Sequence, residues 1–403
     1  MVNRGVSDAF PRPVSTTRNA VVLGAGLAGA AICHALCARG WQVTLVERQP
    51  QAAQEASGNL VGIVMPVLSQ DDNLTSRLTR AAYLFALRYW QTLGQFDHAA
   101  CGVLQLARDA AHAQLQLAIA RRWNFPATFA RWCNGDEASA LLGRATVHGG
   151  WHFPQGGWAD PGAVCRAMLA ACGSRLTQQY GCEVASLRRH DDRWQLYDGA
   201  GAQVALAPVV IFANSNGATR FAQLADLPLV AVRGQVTHVA ADPHSTVPMV
   251  VCGDGYVTPP LRGICCVGAS YDAHQDEHLR ADSQAGNLQR VQAMLPGFWL
   301  DPDALPLAGR VGFRCVAPDR LPLVGALPDN GSLTAIERMR DMPRRPGLYG
   351  LLGYASRGLI WAPLAAELLA AQLEGTPLPL DATLAAALDP ARFRLKVLRR
   401  QPR

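Results

Sequence analysis

Lysine is nearly missing from this chain. Of 37 lysines and arginines in 403 residues, only Lys396 is a lysine. Arginine prefers bidentate contacts with carboxylate and phosphate, although a biased base composition would explain the arginines, and the many alanines, equally well. The 11 cysteines include no C-x-x-C and no pattern of a disulfide framework or zinc site, which fits a reducing compartment. Cys33/Cys37 and His274/His278, each spaced i, i+4, read as packing or surface residues rather than metal ligands. There is no internal repeat, no Ser–His–Asp signature and no convincing carboxylate pair. Membrane spans are lacking too. Residues 20–38 carry no Asp, Glu, Lys or Arg and follow Arg4, Arg12 and Arg18, which mimics a signal peptide. Three glycines at fixed spacing and His34 argue for a buried strand–helix unit instead. The apolar run 348–373 is interrupted by Arg357 and Glu367. A soluble, cytoplasmic protein is expected.

What is present supports a large core. The chain is 49% hydrophobic and long enough for two domains. Its most informative segment opens it. An apolar strand runs into Gly24, Gly26 and Gly29; a helix pattern, Gly40, a second strand (43–46) and the acid Glu47 follow. This is a dinucleotide-binding fingerprint in its full strand–helix–strand setting. Gly24 permits a tight turn, Gly26 lets backbone approach a pyrophosphate, and Gly29 lets helix and strand pack closely. With Leu27 and Ala28, Gly29 opens a helix whose free N–H groups and positive dipole end suit phosphate. Glu47 would accept hydrogen bonds from a ribose 2′-OH.

Along the chain, residues 1–19 read as a disordered lead-in, 74–93 as an amphipathic helix and 94–150 as mixed helix and loop. Asp160 and Pro161 form an N-cap and first position of another helix. Strands are expected at 182–187, 194–197, 209–213 and 348–353, and a helix at 363–374 stopped by Gly375. Residues 220–324 are strand-rich with polar turns, unlike the alternating start. The net charge of +6 is modest, but Arg392, Arg394, Lys396, Arg399, Arg400 and Arg403 crowd the end. Such a tail suits a nucleic-acid backbone, though most charge runs are merely solvated.

Several segments carry a resemblance. Glu47, with A-S-G-N-L-V-G-I-V-M-P at 56–66, resembles the FAD-binding region of the D-amino-acid-oxidase/glycine-oxidase superfamily. F-P-Q-G-G-W-A-D-P (153–161), R-V-G-F-R-C-V-A-P-D-R-L-P-L-V-G (310–325) and G-Y-A-S-R-G-L-I-W-A-P (353–363) narrow it, with L-S-Q-D-D-N (68–73) and the basic end. Together they are similar to the FAD-dependent oxidoreductase half of the bifunctional MnmC family, which finishes 5-methylaminomethyl-2-thiouridine at the tRNA wobble position. The resemblance runs from about residue 20 to the end. It implies an α/β fold, α+β overall: a Rossmann-like FAD-binding domain (20–95, 150–219 and 325–388) interrupted by a mostly antiparallel β substrate domain (96–149 and 220–324). A basic tail (389–403) would follow. That family carries a methyltransferase domain ahead of the flavin domain. Here about 19 residues precede the first strand, so methylation is expected to need a separate methyltransferase.

The implied reaction removes the carboxymethyl group from a carboxymethylaminomethyl uridine of tRNA, with non-covalent FAD as oxidant, no metal and no membrane. By this resemblance Arg314 binds the carboxylate, Arg357 is a second candidate and Tyr256 a substrate-pocket tyrosine. Besides the fingerprint residues and Arg48, cofactor contacts are implied for Ser57, Gly58 and Asn59 (ribose or pyrophosphate) and for Val184 (adenine). Ala213 and Asn214 would lie beside the dinucleotide. Gly325, Gly353, Ser356, Arg357, Gly358 and Leu359 would pass along the isoalloxazine ring. Cys315, beside Arg314, reads as a buried thiol rather than a covalent flavin link. Lys396 lies too near the end to serve as an oxygen-activating lysine. Two alternatives share the flavin motifs: an oxidase or dehydrogenase of glycine, sarcosine or a D-amino acid, and an idle flavoprotein scaffold.

Overall fold

A computed structural model describes residues 18–399, apart from 273, 330 and 332–335. The expected lead-in therefore lies, up to residue 17, outside the described residues. Strand β1 (Asn19–Leu23), helix α1 (Leu27–Cys37) and strand β2 (Gln42–Val46) open the fold. In the first sheet the strand order is 323–328, 344–352, 209–212, β1, β2, 176–179. All neighbours pair in parallel except the antiparallel edge strand Leu323–Pro328. Helix α1 has no charged residue and is apolar all round, so it must be covered on more than one side. It packs against helices Gly358–Glu374 and Pro161–Ala170 as well as the sheet.

Helix α2 (Leu74–Trp90) covers the same layer, burying Leu78, Ala82, Tyr83 and Ala86. Asn73 caps it by accepting from Ser76 N at 3.1 Å. Leu364, Leu368 and Leu369 of helix Gly358–Glu374 are at most 2% exposed, each contributing roughly 1.5–3 kcal/mol by leaving water. On the opposite face sit the antiparallel strands Ser186–His190, Arg193–Tyr197 and Gln203–Ala207, through Leu187, Trp194 and Leu196.

The second sheet has eight strands in the order 307–316, 230–240, 264–268, 256–257, 250–252, 103–106, 150–153, 131–133. It is antiparallel except where 250–252 meets 103–106. Strands Val230–Ala240 and Leu307–Val316 pair continuously from Val230↔Val316 to Val239↔Leu307. That long ribbon carries Arg314 to the first sheet.

Several boundaries differ from expectation. Helix α2 stops at Trp90 because residues 91–94 form a turn, with Gln91 N bonding Arg88 O. The strand expected at 182–187 begins at Ser186; before it, Cys182 N bonds Glu47 O and holds the chain as a loop. The strand expected at 348–353 begins at Arg344. The helix expected from Pro363 begins at Gly358 and carries Pro363 inside it, its broad burial outweighing the missing N–H. Gly150–Phe153, assigned by sequence to the dinucleotide-binding part, pairs with Val103–Leu106 in the second sheet. The basic end is not a free tail as far as it is described. Arg392–Leu398 is a helix, and Arg392 donates to both carboxylate oxygens of Asp319 at 2.8 and 2.9 Å. Arg399 donates to Glu337 O at 3.0 Å; Arg400 and Arg403 lie outside the described residues.

Candidate active site

The fingerprint glycines are required by packing. Gly24 has φ +100°, and a Cβ there would lie 2.8 Å from Ala213 O. A Cβ on Gly29 would lie 1.7 Å from Gly24 O, so only glycine lets α1 start this close to β1. Leu27, Ala28 and Gly29 supply first-turn N–H groups that lack helical acceptors. Ser57 Oγ accepts from Leu27 N at 3.1 Å and stands over Gly26.

Glu47, at the end of β2, is 8% exposed. Its carboxylate accepts from Ala25 N at 2.7 Å and Gln49 N at 2.8 Å, which fixes its direction beside the glycine turn. Arg48 pairs with Glu55 at 2.6 Å. Burial by itself would raise the Glu55 carboxyl, but the bonds from Gln49 and Arg48 hold it below the usual carboxylate range. Val184 follows the loop tied to Glu47 O by Cys182 and packs against the second-face cluster.

Arg310 is a residue that sequence reasoning missed. It donates to Gln54 O and Glu55 O, both at 2.6 Å, and to Asn59 Oδ1 at 3.3 Å. It thereby pins the turn that holds Ser57, Gly58 and Asn59. Burial pushes its guanidinium below the ordinary arginine value, with Glu55 opposing. A signal was present: period-two spacing puts Arg310, Gly312 and Arg314 on one face of a single strand. Arg310, Glu55 and Gly312 also line a cavity of about 340 Å³.

Ala213 follows strand Val209–Phe212, and its N–H donates to Leu23 O at 2.9 Å. The next residue, Asn214, has a buried Oδ1 without a partner among the described residues, and so does the Tyr354 hydroxyl. Gly353 turns with φ +74°. Beyond the exposed Ser356, Arg357 caps helix Gly358–Glu374. A Cβ on Gly358 would lie 2.9 Å from Leu27 Cδ1, so two helix N-termini meet there. Leu359 fills the space over Gly62. Gly325 is not brought into this group: it sits opposite Gly350 inside the first sheet and faces Gln372 and Pro390.

On the other side lie the substrate candidates. Arg314 donates to Ser270 O at 3.2 Å, its guanidinium is 4.2 Å from the Tyr271 ring centroid, and it stands over Gly234. Among the described residues no carboxylate forms an ion pair with Arg314 or Arg357, so an internal salt bridge does not account for either. Burial pushes the Arg357 guanidinium below its ordinary value; Tyr271 and Cys252 act the other way. Tyr256 packs over Gly268, and burial pushes its phenol well up, so it stays protonated. Arg314 and Tyr271 both lie close enough to act on the charge of Tyr256, and Tyr271 acts on that of Arg357. Cys315 is 5% exposed and pushed up to about 11 by burial, which keeps it a thiol.

A backbone cradle for a dinucleotide thus faces an arginine-bearing β-sheet, and the profile of the FAD dependent oxidoreductase family matches residues 19–372. The chain belongs to that family. This FAD-dependent oxidoreductase is 48% identical, over 95% of its length, to the tRNA 5-methylaminomethyl-2-thiouridine biosynthesis bifunctional protein MnmC of Burkholderia thailandensis. It spans 61% of that relative. Glycine oxidase from Geobacillus kaustophilus has the same fold, with TM-score 0.74 at 21% identity over 93% of this chain and 98% of that one. Iminodiacetate oxidase from Chelativorans sp. BNC1 gives TM-score 0.70 at 25% identity, over 90% and 96%. The orphaned Asn214 Oδ1 and Tyr354 hydroxyl, the glycine turn and the paired helix N-termini fit FAD. Among the described residues no cluster of three or more His, Cys, Asp or Glu could hold a metal ion. No helix among them is long and apolar enough to cross a membrane.

Proposed function

We propose that this oxidoreductase acts on a CH–NH donor, the carboxymethylaminomethyl group of a wobble uridine in tRNA. The products would be 5-aminomethyl-(2-thio)uridine and glyoxylate. The observation that carries the reading is Arg314: a guanidinium that forms no carboxylate ion pair among the described residues, near Tyr256 and against the Tyr271 ring. The name of the Burkholderia thailandensis relative supports the tRNA substrate.

Arg314 would grip the substrate carboxylate with two parallel N–H bonds, and Tyr256, protonated, would donate a third. This orients the carbon between carboxylate and nitrogen. The desolvated Arg357 cation, in a site of low dielectric, would favour negative charge nearby. Ala28 and Gly29 N–H groups, with Ser57 over the turn, would hold the pyrophosphate of FAD, Glu47 the ribose, and residues 353–359 the ring system. Bound FAD supplies the acceptor for the hydride that leaves the substrate carbon. With the amine neutral, its lone pair completes a C=N bond as the hydride departs. Water then adds to that carbon and the C–N bond breaks, giving glyoxylate and the free aminomethyl group.

A second reading, oxidation of a free glycine-type amine, draws on the fold shared with glycine oxidase. Anaerobic flavin bleaching separates the two. Bleaching by tRNA bearing carboxymethylaminomethyl uridine, with glyoxylate released, is the expected result. Bleaching by glycine, sarcosine or D-alanine, and not by that tRNA, would move the protein to the small-molecule oxidases.

A further inference from the structure

Tyr271 is 63% exposed, yet its backbone is held on both sides. Before it, Ser270 N bonds Gln235 O at 3.1 Å and Gln235 N bonds Ser270 Oγ at 2.9 Å. After it, Asp272 N bonds Arg233 O at 3.2 Å, and the Asp272 carboxylate pairs with Arg233 Nη1 at 3.0 Å. Arg233 is itself fully buried on strand Val230–Ala240, and its Nε also holds Asp276 O at 2.9 Å. Ser270 Oγ closes the cluster on Asp272 at 3.1 Å. A fully buried arginine is thus spent on fixing a short segment whose one aromatic ring is left in water.

That ring has one face occupied. The Arg314 guanidinium lies 4.2 Å from its centroid, and among the described residues it is the ring's only aromatic or cation–π partner. At 63% exposure, much of the ring is accessible to solvent. A flat ring, rigidly held and backed by a cation, is a platform for a second flat ring. We propose that Tyr271 is the stacking platform for the uracil ring of the substrate nucleotide. This rests on the tRNA reading above. With the substrate carboxylate on Arg314, only a CH₂–NH–CH₂ link separates it from the uracil, so the base must lie beside the side chain that covers Arg314. A wobble nucleotide is in a single-stranded loop, where bases are recognised by unstacking them onto aromatic side chains. The phenol of Tyr256 and the Arg314 fork then read the carboxymethylamino group, while Tyr271 takes the base. A free amino acid has nothing to lay on Tyr271.

The test uses the FAD-loaded full chain and two ligands. One is a labelled anticodon stem-loop carrying 5-carboxymethylaminomethyluridine, followed by anisotropy. The other is glycolate, a small carboxylate that is followed by the shift of the flavin spectrum. In Tyr271→Ala the stem-loop Kd should rise about tenfold or more, while the glycolate Kd stays within about twofold of wild type. Tyr271→Phe and Tyr271→Trp should restore stem-loop binding, which a merely structural role for the hydroxyl would not predict. An unchanged stem-loop Kd in Tyr271→Ala would overturn the platform. So would parallel weakening of both ligands, which would mean that Tyr271 only positions Arg314. If wild type binds glycolate but not the stem-loop, the tRNA reading fails and the platform with it. If wild type binds both and only the Tyr271→Ala prediction fails, the tRNA reading stands.

Discussion

The proposed cofactor side of the site is made mostly of backbone, whereas the proposed substrate side is made of single side chains. Around β1 and α1 the contacts come from N–H groups, turns and the space left by absent Cβ atoms: Gly24 against Ala213, Gly29 against Gly24, Gly358 against Leu27. Across the hollow, Arg314, Tyr256 and Tyr271 come from three strands or loops of the second sheet and meet only in space. A backbone cradle tolerates almost no change at Gly24 and Gly29, where a Cβ would collide with main chain. A side-chain site can lose one member and keep its shape, so its defects should be kinetic rather than structural. Arg310 belongs to neither kind alone: it is a substrate-sheet side chain that holds the cofactor loop.

Substitutions can break this contrast, and the largest effect is expected at Gly29. Gly29→Val puts a Cβ within 1.7 Å of Gly24 O. It should cost about 3 kcal/mol or more through overpacking and yield colourless protein, read by flavin content and thermal melting. A yellow, stable Gly29→Val would show that the backbone cradle is more plastic than its packing implies. Next is Arg314→Met. It should lower kcat/KM on the order of a hundredfold or more by removing a desolvated charge pair, while flavin content and Tm hold. Equal loss of flavin would erase the distinction between the two sides. Arg310→Met should have a smaller effect than either. FAD affinity drops as the 54–59 turn loosens, by roughly tenfold for lost hydrogen bonds from a charged group, with little change in the rate of flavin reduction once the site is loaded. Titration with FAD and stopped-flow reduction read the two separately.

The smallest effect tests the frame behind the cradle. His34 on α1 is bonded to the Tyr89 hydroxyl at 2.6 Å, and burial pushes its imidazole below the ordinary value. A histidine with a depressed folded value contributes stability above the unfolded value of about 6.5, and this is lost as pH falls through the folded value. Tm should therefore drop on acidification below about pH 6.5. In His34→Gln that pH dependence should be shallower by about 1–3 °C. An identical pH profile would remove His34 from the acid response.

The dinucleotide unit was legible because its requirements are local. Gly24, Gly26, Gly29 and Glu47 sit within one strand–helix–strand stretch; Gly29 answers to Gly24 and Gly26 to Ser57, and only Gly24 answers to a distant neighbour, Ala213. The Asp160 cap on helix Pro161–Ala170 was local too, accepting from Ala163 N at 3.0 Å. The substrate side was legible mainly through family resemblance. Arg310 was passed over because nothing near it in sequence shows that its partners are Gln54, Glu55 and Asn59. Gly325 is not brought to the glycine turn, and sequence could not show this: a glycine in a strand looks the same whatever faces it, here Gln372 and Pro390. The basic end was taken for a tail because charge density is visible in sequence, whereas its lock on Asp319 is not.

By itself, then, the sequence determined the strand–turn–helix that starts the fold, since hydrophobic period, glycine spacing and helix caps act over a few residues. Tertiary structure alone decided which arginines are free. Arg233, Arg344 and Arg392 are consumed by Asp272, Asp389 and Asp319, while Arg314 is left facing a tyrosine. An arginine's availability depends on which carboxylates the fold brings within reach, and those lie tens to hundreds of residues away along the chain.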